Sequence, residues 1–339
     1  MRGKQYKMPA PSFSITLEEH AVFPSLGSDI PFFNEIWKLF PKSKEEAEDH
    51  STGRVASMDE GHISYQIISH VTGTANNRPE ACQKANDEMA AAIKTHPTRF
   101  GGLAALPMAY PDKATAELER VVKELGFQGA MIDSHLDDMT HYDDERFWPV
   151  FEMAERLDVP IYIHPGPPAG TFVEEKYSGN YPTTAALMLS SAAWGWHEDV
   201  GLHILKLYSS GLFDRFPKLK IIIGHMGELL PIMIDRAETM LGKYRKSQNG
   251  RSFFDVWDKN IWVTSSGIFS VRVLEMLLMV TKKDRVMYSI DTPFSKNTQG
   301  CDYLQELAEK SSLSKEDLDN FAFGNARKLF KLDFELKEF

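Results

Sequence analysis

A parallel (β/α)8 barrel is the fold this sequence predicts, and three features predict it. Eight short strand-like runs alternate for the most part with amphipathic stretches of helix length. Several runs are nearly continuous in β-branched or apolar residues, as in Ile161-Tyr162-Ile163 and Ile221-Ile222-Ile223, which suits strands buried on both faces. No glycine-rich phosphate turn follows the first run, which argues against a doubly wound open sheet.

The first strand is expected over residues 13–20. Alternation assigns Phe13, Ile15 and Leu17 to one face and Thr16, Glu18 and His20 to the other, so Glu18 and His20 project together while Glu19 points away. A carboxylate and an imidazole two residues apart at a strand end form a chelating pair, although alone they also fit an ordinary solvated strand end. Further strands are expected over 64–71, 100–108, 129–133, 160–164, 219–224, 260–265 and 285–290. Helical spacing of apolar residues predicts helices over 79–94, 112–125, 145–157, 228–244 and 270–281, and residues 313–330 read as helices closing the barrel. Two connections exceed plain βα loops. Residues 21–63 hold Pro24, Pro31, Pro41, the aromatic cluster Phe32, Phe33, Trp37 and Phe40, and a charge run over 42–49 expected to be a solvated helix face. Residues 166–200 begin Gly166-Pro167-Pro168 and carry Tyr181, Trp194 and Trp196. Both are expected to be cap or lid insertions shaping the pocket of a single domain spanning 1–339.

The 339 residues are 42% hydrophobic and 25% charged, values of an ordinary soluble globular protein. The net charge of −10 argues against nucleic acid or an anionic membrane as the main partner. Cys82 and Cys301 are too few for a disulfide framework and fit a reducing, cytoplasmic setting. The basic stretch over 1–12 lacks the apolar core of a signal peptide, and no run approaches the roughly 20 apolar residues of a membrane span. An enzyme or binding protein of the cytosol remains.

The polar residues that end the strands narrow this further. Glu18 and His20 end the first, His164 the fifth and Asp291 the eighth, while His225 follows the sixth. Barrel active sites lie at the C-terminal rim, so groups far apart in sequence converge there. Two imidazoles and two carboxylates, with a third imidazole beside them, have the composition of a metal site. The mixture suits Zn²⁺ first, with Mn²⁺ or Mg²⁺ as oxygen ligands gain weight.

At these positions the sequence resembles the amidohydrolase superfamily, in its branch of metal-dependent decarboxylases. That branch includes aminocarboxymuconate-semialdehyde decarboxylase and the decarboxylases of γ-resorcylate, salicylate, 2,3-dihydroxybenzoate and 5-carboxyvanillate. The resemblance covers about residues 13 to 330. It rests on Leu17-Glu18-Glu19-His20, Tyr162-Ile163-His164-Pro165, Gly224-His225-Met226-Gly227-Glu228 and Ser289-Ile290-Asp291-Thr292-Pro293. Gly211-Leu212-Phe213-Asp214-Arg215-Phe216-Pro217 and Asn325-Ala326-Arg327-Lys328-Leu329-Phe330 add to it.

The resemblance implies roles for single residues. Glu18 stands where the superfamily usually has the first His of a His-x-His pair, a replacement similar to that in phenolic-acid decarboxylases. His20 keeps the second His, where many of those enzymes have Ala. His164 and Asp291 match the remaining metal ligands, His225 and Glu228 a catalytic pair, and Arg236 a substrate-binding arginine. Arg54 resembles a position that reaches into a neighbouring subunit's site, and equally fits a surface arginine before a helix. His70, His135, Trp194, Trp196 and Phe294 are candidates for the pocket wall. The fourth strand, Ala130-Met131-Ile132-Asp133, offers no lysine to bridge two metals, so one divalent ion is expected. The implied activity is non-oxidative decarboxylation of an aromatic, ortho-hydroxybenzoate-type acid, with Asp291 protonating the ring and CO₂ released. A metal-dependent hydrolase of an ester, lactone or amide is the alternative, and a non-catalytic metal-binding barrel is disfavoured by His225, Glu228 and Arg236. A homodimer or homotetramer is expected, because the aromatic 21–63 insertion would bury poorly on a lone barrel.

Overall fold

The apolar runs pair side by side, each buried on both faces. They form β1 (Ile15–Ala21), β2 (Tyr65–His70), β3 (Phe100–Ala105), β4 (Gly129–Asp133), β5 (Ile161–His164), β6 (Ile221–Ile223), β7 (Ile261–Thr264) and β8 (Val286–Met287), in a computed structural model describing residues 8–246 and 249–339. Residues 1–7, most of the basic N-terminal stretch, lie outside the described residues. All eight strands are parallel and hydrogen-bonded in chain order, with helices around them, as expected for a (β/α)8 barrel. Among the described residues, closure from β8 to β1 runs through the bridge Glu19–Thr292, where His20 N–H donates to Thr292 O at 2.7 Å.

The barrel interior is filled by Ile15, Leu17, Ile67, Leu103, Ile222 and Met287 among others, and Leu329, Phe330 and Leu332 of the C-terminal segment join the same cluster. The strands' outer faces pack against the surrounding helices in a second, larger core.

The alternation expected along β1 fails at one point. Thr16 pairs with Gln66 but Glu19 with Ile68, so β1 holds one extra residue. Leu17 N–H and Glu18 N–H both donate to Ser289 Oγ, at 3.1 and 2.7 Å, which is how the kink is held. Ile15 and Leu17 therefore share the barrel interior with Glu18 and His20 instead of opposing them, while Glu19 points away as expected.

The 21–63 insertion folds as α1 (Pro31–Leu39), α2 (Pro41–Glu48) and α3 (Thr52–Glu60). Pro31 and Pro41 sit at the first helical turn, where a missing N–H costs nothing. The apolar face of α1 buries Phe33, Ile36 and Trp37 against Val22, Ala47 and Val71. The charge run lies on α2 with its Lys and Glu side chains exposed. Residues 166–200 contain helices Gly170–Tyr177 and Thr183–Ser190, and the helix Gly195–Ser210 starts within them.

The helix expected over 228–244 begins later, at Ile234, and ends at Leu241. Before it, His225, Met226, Gly227, Glu228 and Leu229 all have left-handed φ, between 46° and 96°. Such residues cannot start a right-handed helix, and each non-glycine among them costs on the order of 1–3 kcal/mol. Gly227 is the one member for which this conformation is cheap, and a Cβ there would lie 2.7 Å from Pro231.

Candidate metal centre

Glu18, His20, His164 and Asp291 meet at the C-terminal rim, with one donor atom from each lying within 4.8 Å of all the others. They arrive from three strand ends. The extra residue in β1 aims Glu18 and His20 inward, β5 ends on His164, and Asp291 follows β8 with a φ of +69°. Asp tolerates that left-handed conformation better than most residues. Asp291 is flanked by a clamp: Ile290 N–H and Thr292 N–H donate to the two oxygens of Glu19, at 3.0 and 3.1 Å, and Thr292 Oγ1 adds a third bond at 2.6 Å. Burial pushes the Glu19 carboxyl up to about 7, against the pull of Thr292 and Ile290.

The donor set fits a divalent cation. Glu18 Oε1 and both nitrogens of His20 are buried without a hydrogen-bond partner. His164 Nδ1 lies 2.9 Å from Pro165 O and must donate there, which turns Nε2 toward Glu18 Oε1 at 3.2 Å. Two lone pairs would oppose each other across that gap unless a proton or a cation lay between them. His20 Nε2 stands 3.3 Å from Asp291 Oδ1. Tetrahedral ligands ~2.0–2.1 Å from an ion are about 3.3 Å apart, so these spacings suit a shared ion.

Glu18 is fastened through its other oxygen. Tyr162 and Ser266 donate short hydrogen bonds to Oε2, and Thr264 Oγ1 a longer one at 3.3 Å. A side chain at Gly224 would collide with this carboxylate, since a Cβ there would lie 2.7 Å from Oε2. Burial opposes ionisation of Glu18, but the neighbouring His225, His164 and His20 outweigh it and hold the carboxyl far below its ordinary range.

Beside this set stands a relay of three groups. His225 Nδ1 lies 2.8 Å from Glu228 Oε1, and His197 Nδ1 lies 2.6 Å from Glu228 Oε2. Burial would raise the Glu228 pKa, yet the two imidazoles hold it down to about 2. Burial likewise opposes a charge on His225, and Glu228, Glu18 and Asp291 together raise it well above the ordinary value. The far nitrogen of His225 points at the centre, 3.6 Å from Glu18 Oε1 and 3.8 Å from Asp291 Oδ2. His197 Nε2 faces Ala192 O at 2.9 Å, so acceptors face both of its nitrogens.

The remaining candidates divide. Phe294 lines the cavity above the centre, 5.8 Å from the His20 ring and stacked on Trp37 at 5.9 Å. Trp194 and Trp196 line the same cavity. Arg54 does not reach outward: it is buried in its own chain, donating to Asp49 O, Gln66 Oε1 and, at 2.5 Å, His20 O. These bonds brace the end of β1. Arg236 is exposed on helix Ile234–Leu241 and does not line the cavity of its own chain. His70 bonds Phe23 N–H and Gly27 O, and His135 bonds Leu136 O, so both are held away from the centre.

The sequence reading missed Tyr162, Thr264, Ser266, Glu19 and His197. Period-two spacing could have found the first three: Tyr162 precedes His164 by two residues on the same face, and Thr264 and Ser266 share a face at the end of β7. His197 carries no such signal, because its partner Glu228 lies 31 residues away on another element.

A family model described as amidohydrolase matches residues 34–332, most of the chain. The chain belongs to the amidohydrolase family. Among its amidohydrolase relatives, the decarboxylase orsB of Emericella nidulans is 41% identical over 96% of this chain and 98% of its own. A γ-resorcylate decarboxylase of Polaromonas sp. is 34% identical over 94% and 98%. The crystal structure of a dihydroxybenzoic acid decarboxylase from Polaromonas sp. JS666, with bound manganese and the inhibitor 2-nitroresorcinol, matches with a TM-score of 0.79 and 31% identity, over 96% of this chain and 98% of that one. No helix among the described residues is long and apolar enough to cross a membrane.

Proposed function

We infer that this protein is a metal-dependent, non-oxidative decarboxylase of an aromatic acid bearing a hydroxyl ortho to the carboxylate. The observation that carries the reading is the convergence of Glu18, His20, His164 and Asp291, with Glu18 Oε1 and both His20 nitrogens buried and unpartnered, beside the His225–Glu228 pair. The named activities of the relatives, all decarboxylases, support it. Glu18, His20, His164 and Asp291 would hold one divalent ion, within a single domain whose two long insertions form the pocket walls. The donor set favours Zn²⁺, while the Polaromonas relative makes Mn²⁺ the rival, and metal analysis of the purified protein decides between them.

The chemical difficulty is the electron pair left by departing CO₂, which would make an unstable aryl anion. A divalent ion held by Glu18, His20, His164 and Asp291 would supply Lewis-acid stabilisation of the substrate's anionic oxygens. Asp291, at the cavity floor, delivers a proton to the carbon that bears the carboxylate. A C–H bond forms there, the C–C bond to the carboxylate breaks, its electron pair restores the aromatic ring, and CO₂ leaves neutral. Solvent returns the proton to Asp291. His225, oriented by Glu228 and His197, hydrogen-bonds the substrate's anionic oxygens.

Arg236 serves as the substrate-binding arginine from a second copy of the chain. It is exposed beside the exposed apolar side chains Ile232, Met233, Met240 and Tyr244, a face suited to being covered by another subunit. Free cysteines Cys82 and Cys301 suit a cytoplasmic setting.

The test is a CO₂-release screen over ortho-hydroxybenzoates, run in D₂O beside a panel of esters and lactones. One deuterium at the carbon that carried the carboxylate is expected. Cleavage of an ester or lactone with no CO₂ from any aromatic acid would make the protein a hydrolase instead.

A further inference from the structure

We propose that the cavity above the metal centre contains a subsite for an apolar chain on the aromatic ring, so that the substrate is an alkyl-substituted ortho-hydroxybenzoate. This rests on the decarboxylase reading and adds the substrate's second half to it. The cavity measures ≈ 610 Å³ and includes Asp291 and His225 in its lining. A benzene ring fits a dry engineered cavity of roughly 150 Å³. Pockets of roughly 300–1,000 Å³ bury whole drug-sized ligands. A bare dihydroxybenzoate at the metal centre therefore leaves most of this space unfilled.

The unfilled part is apolar and built by both long insertions. Phe32, Ile36 and Phe40 come from α1 and its end, and Met188, Trp194 and Trp196 from the segment after β5. Phe32 and Trp196 meet across the gap, ring centroids 5.5 Å apart. Among the described residues no Lys or Arg lines the cavity. Phe40 and Trp194 remain 46% and 49% exposed, apolar surface that a chain lying against them would cover. An alkyl chain on a ring carbon remote from the carboxylate–hydroxyl edge points away from the metal ligands and toward these walls.

The experiment measures kcat/KM of the metal-loaded enzyme for 2-hydroxybenzoates carrying no chain, or linear chains of one, three and five carbons, at ring positions 4 and 5. Tryptophan quenching gives the Kd of the matching alkylphenols, which lack the carboxylate. Each methylene is expected to raise kcat/KM and tighten Kd roughly fourfold, the value of one buried methylene. Ala193 is an exposed residue of the cavity lining, and Ala193→Trp should weaken the chain-length dependence more than it lowers the parent acid's turnover. If every acid is turned over without dependence on chain length, the subsite is refuted while the decarboxylase reading stands. If no acid is turned over but the phenols still bind more tightly with length, the subsite stands and the decarboxylase reading falls. If Phe40→Ala with Trp194→Ala changes the oligomeric state and leaves chain-length selectivity intact, the cavity is part of a subunit interface and the proposal is overturned.

Discussion

Glu18 divides its two oxygens between two tasks. Oε2 is held by the hydroxyls of Tyr162, Ser266 and Thr264, which leaves Oε1 free and aimed at the centre. Groups that orient a ligand typically control metal affinity by 10–100-fold. Tyr162→Phe keeps the ring but deletes one donor, and its metal Kd, measured against a competing chelator, should weaken by about that factor. Asp291 is asked for more under the proposed function, in which it both faces the ion and supplies the proton. Asp291→Asn should keep measurable metal by elemental analysis while turnover falls roughly 10²–10⁴-fold, the usual worth of a general acid. Retained turnover would move the acid to another residue. Glu228 makes a prediction about acid stability. Its folded pKa, about 2, lies below the ordinary carboxyl value of 4.5, so its contribution is complete above about pH 4.5 and is lost as pH falls toward 2. A shift of this size is worth on the order of 3 kcal/mol. Glu228→Gln should lower the unfolding free energy at neutral pH and flatten its decline between pH 4.5 and 2, read by denaturant titration of metal-free protein at each pH.

The extra residue in β1 is the element on which the site depends. It lets Leu17 pack inside the barrel while Glu18 and His20 still point inward above it. Ser289 holds that kink by accepting from Leu17 N–H and Glu18 N–H, and its own hydroxyl donates to Glu19 at 3.1 Å. Ser289→Ala strands two buried N–H groups, each costing about 1–3 kcal/mol if left unpaired. The variant should lose stability in that range and should bind metal less tightly. An unchanged metal Kd in a destabilised variant would show that β1 keeps its kink without Ser289. The left-handed turn over 225–229 is the second such element. It stores backbone strain where His225 and Glu228 must stand side by side, a placement common at functional sites.

Across the whole molecule, the exposed face of Ile232, Met233, Met240 and Tyr244 leaves Arg236 outside its own chain's cavity. If Arg236 acts from a second copy, two defective subunits can repair each other. Arg236→Ala and Asp291→Asn homo-oligomers should each be nearly inactive, and mixed oligomers should regain up to a fraction of wild-type activity set by their share of intact sites. A monomeric mass at working concentration with full activity, or no recovery on mixing, would place Arg236 outside the reaction.

Local pattern in the sequence determined the barrel and which polar residues gather at its rim. Apolar runs separated by helical spacing specify parallel strands, and in a barrel the strand ends share one rim, so Glu18, His20, His164, His225 and Asp291 could be assembled without coordinates. Only the tertiary structure decided how each is aimed. The direction of a side chain beyond a register shift depends on the partner strand, and β2 and Ser289 set it for Glu18. Arg54 was legible as a cation but not as a brace for β1, because its acceptors are carbonyls whose positions the fold creates. Likewise His197 joins Glu228 from a separate helix and carries no periodic mark. Periodicity reports which face of an element is apolar; what that face meets is settled by the packing of elements distant along the chain.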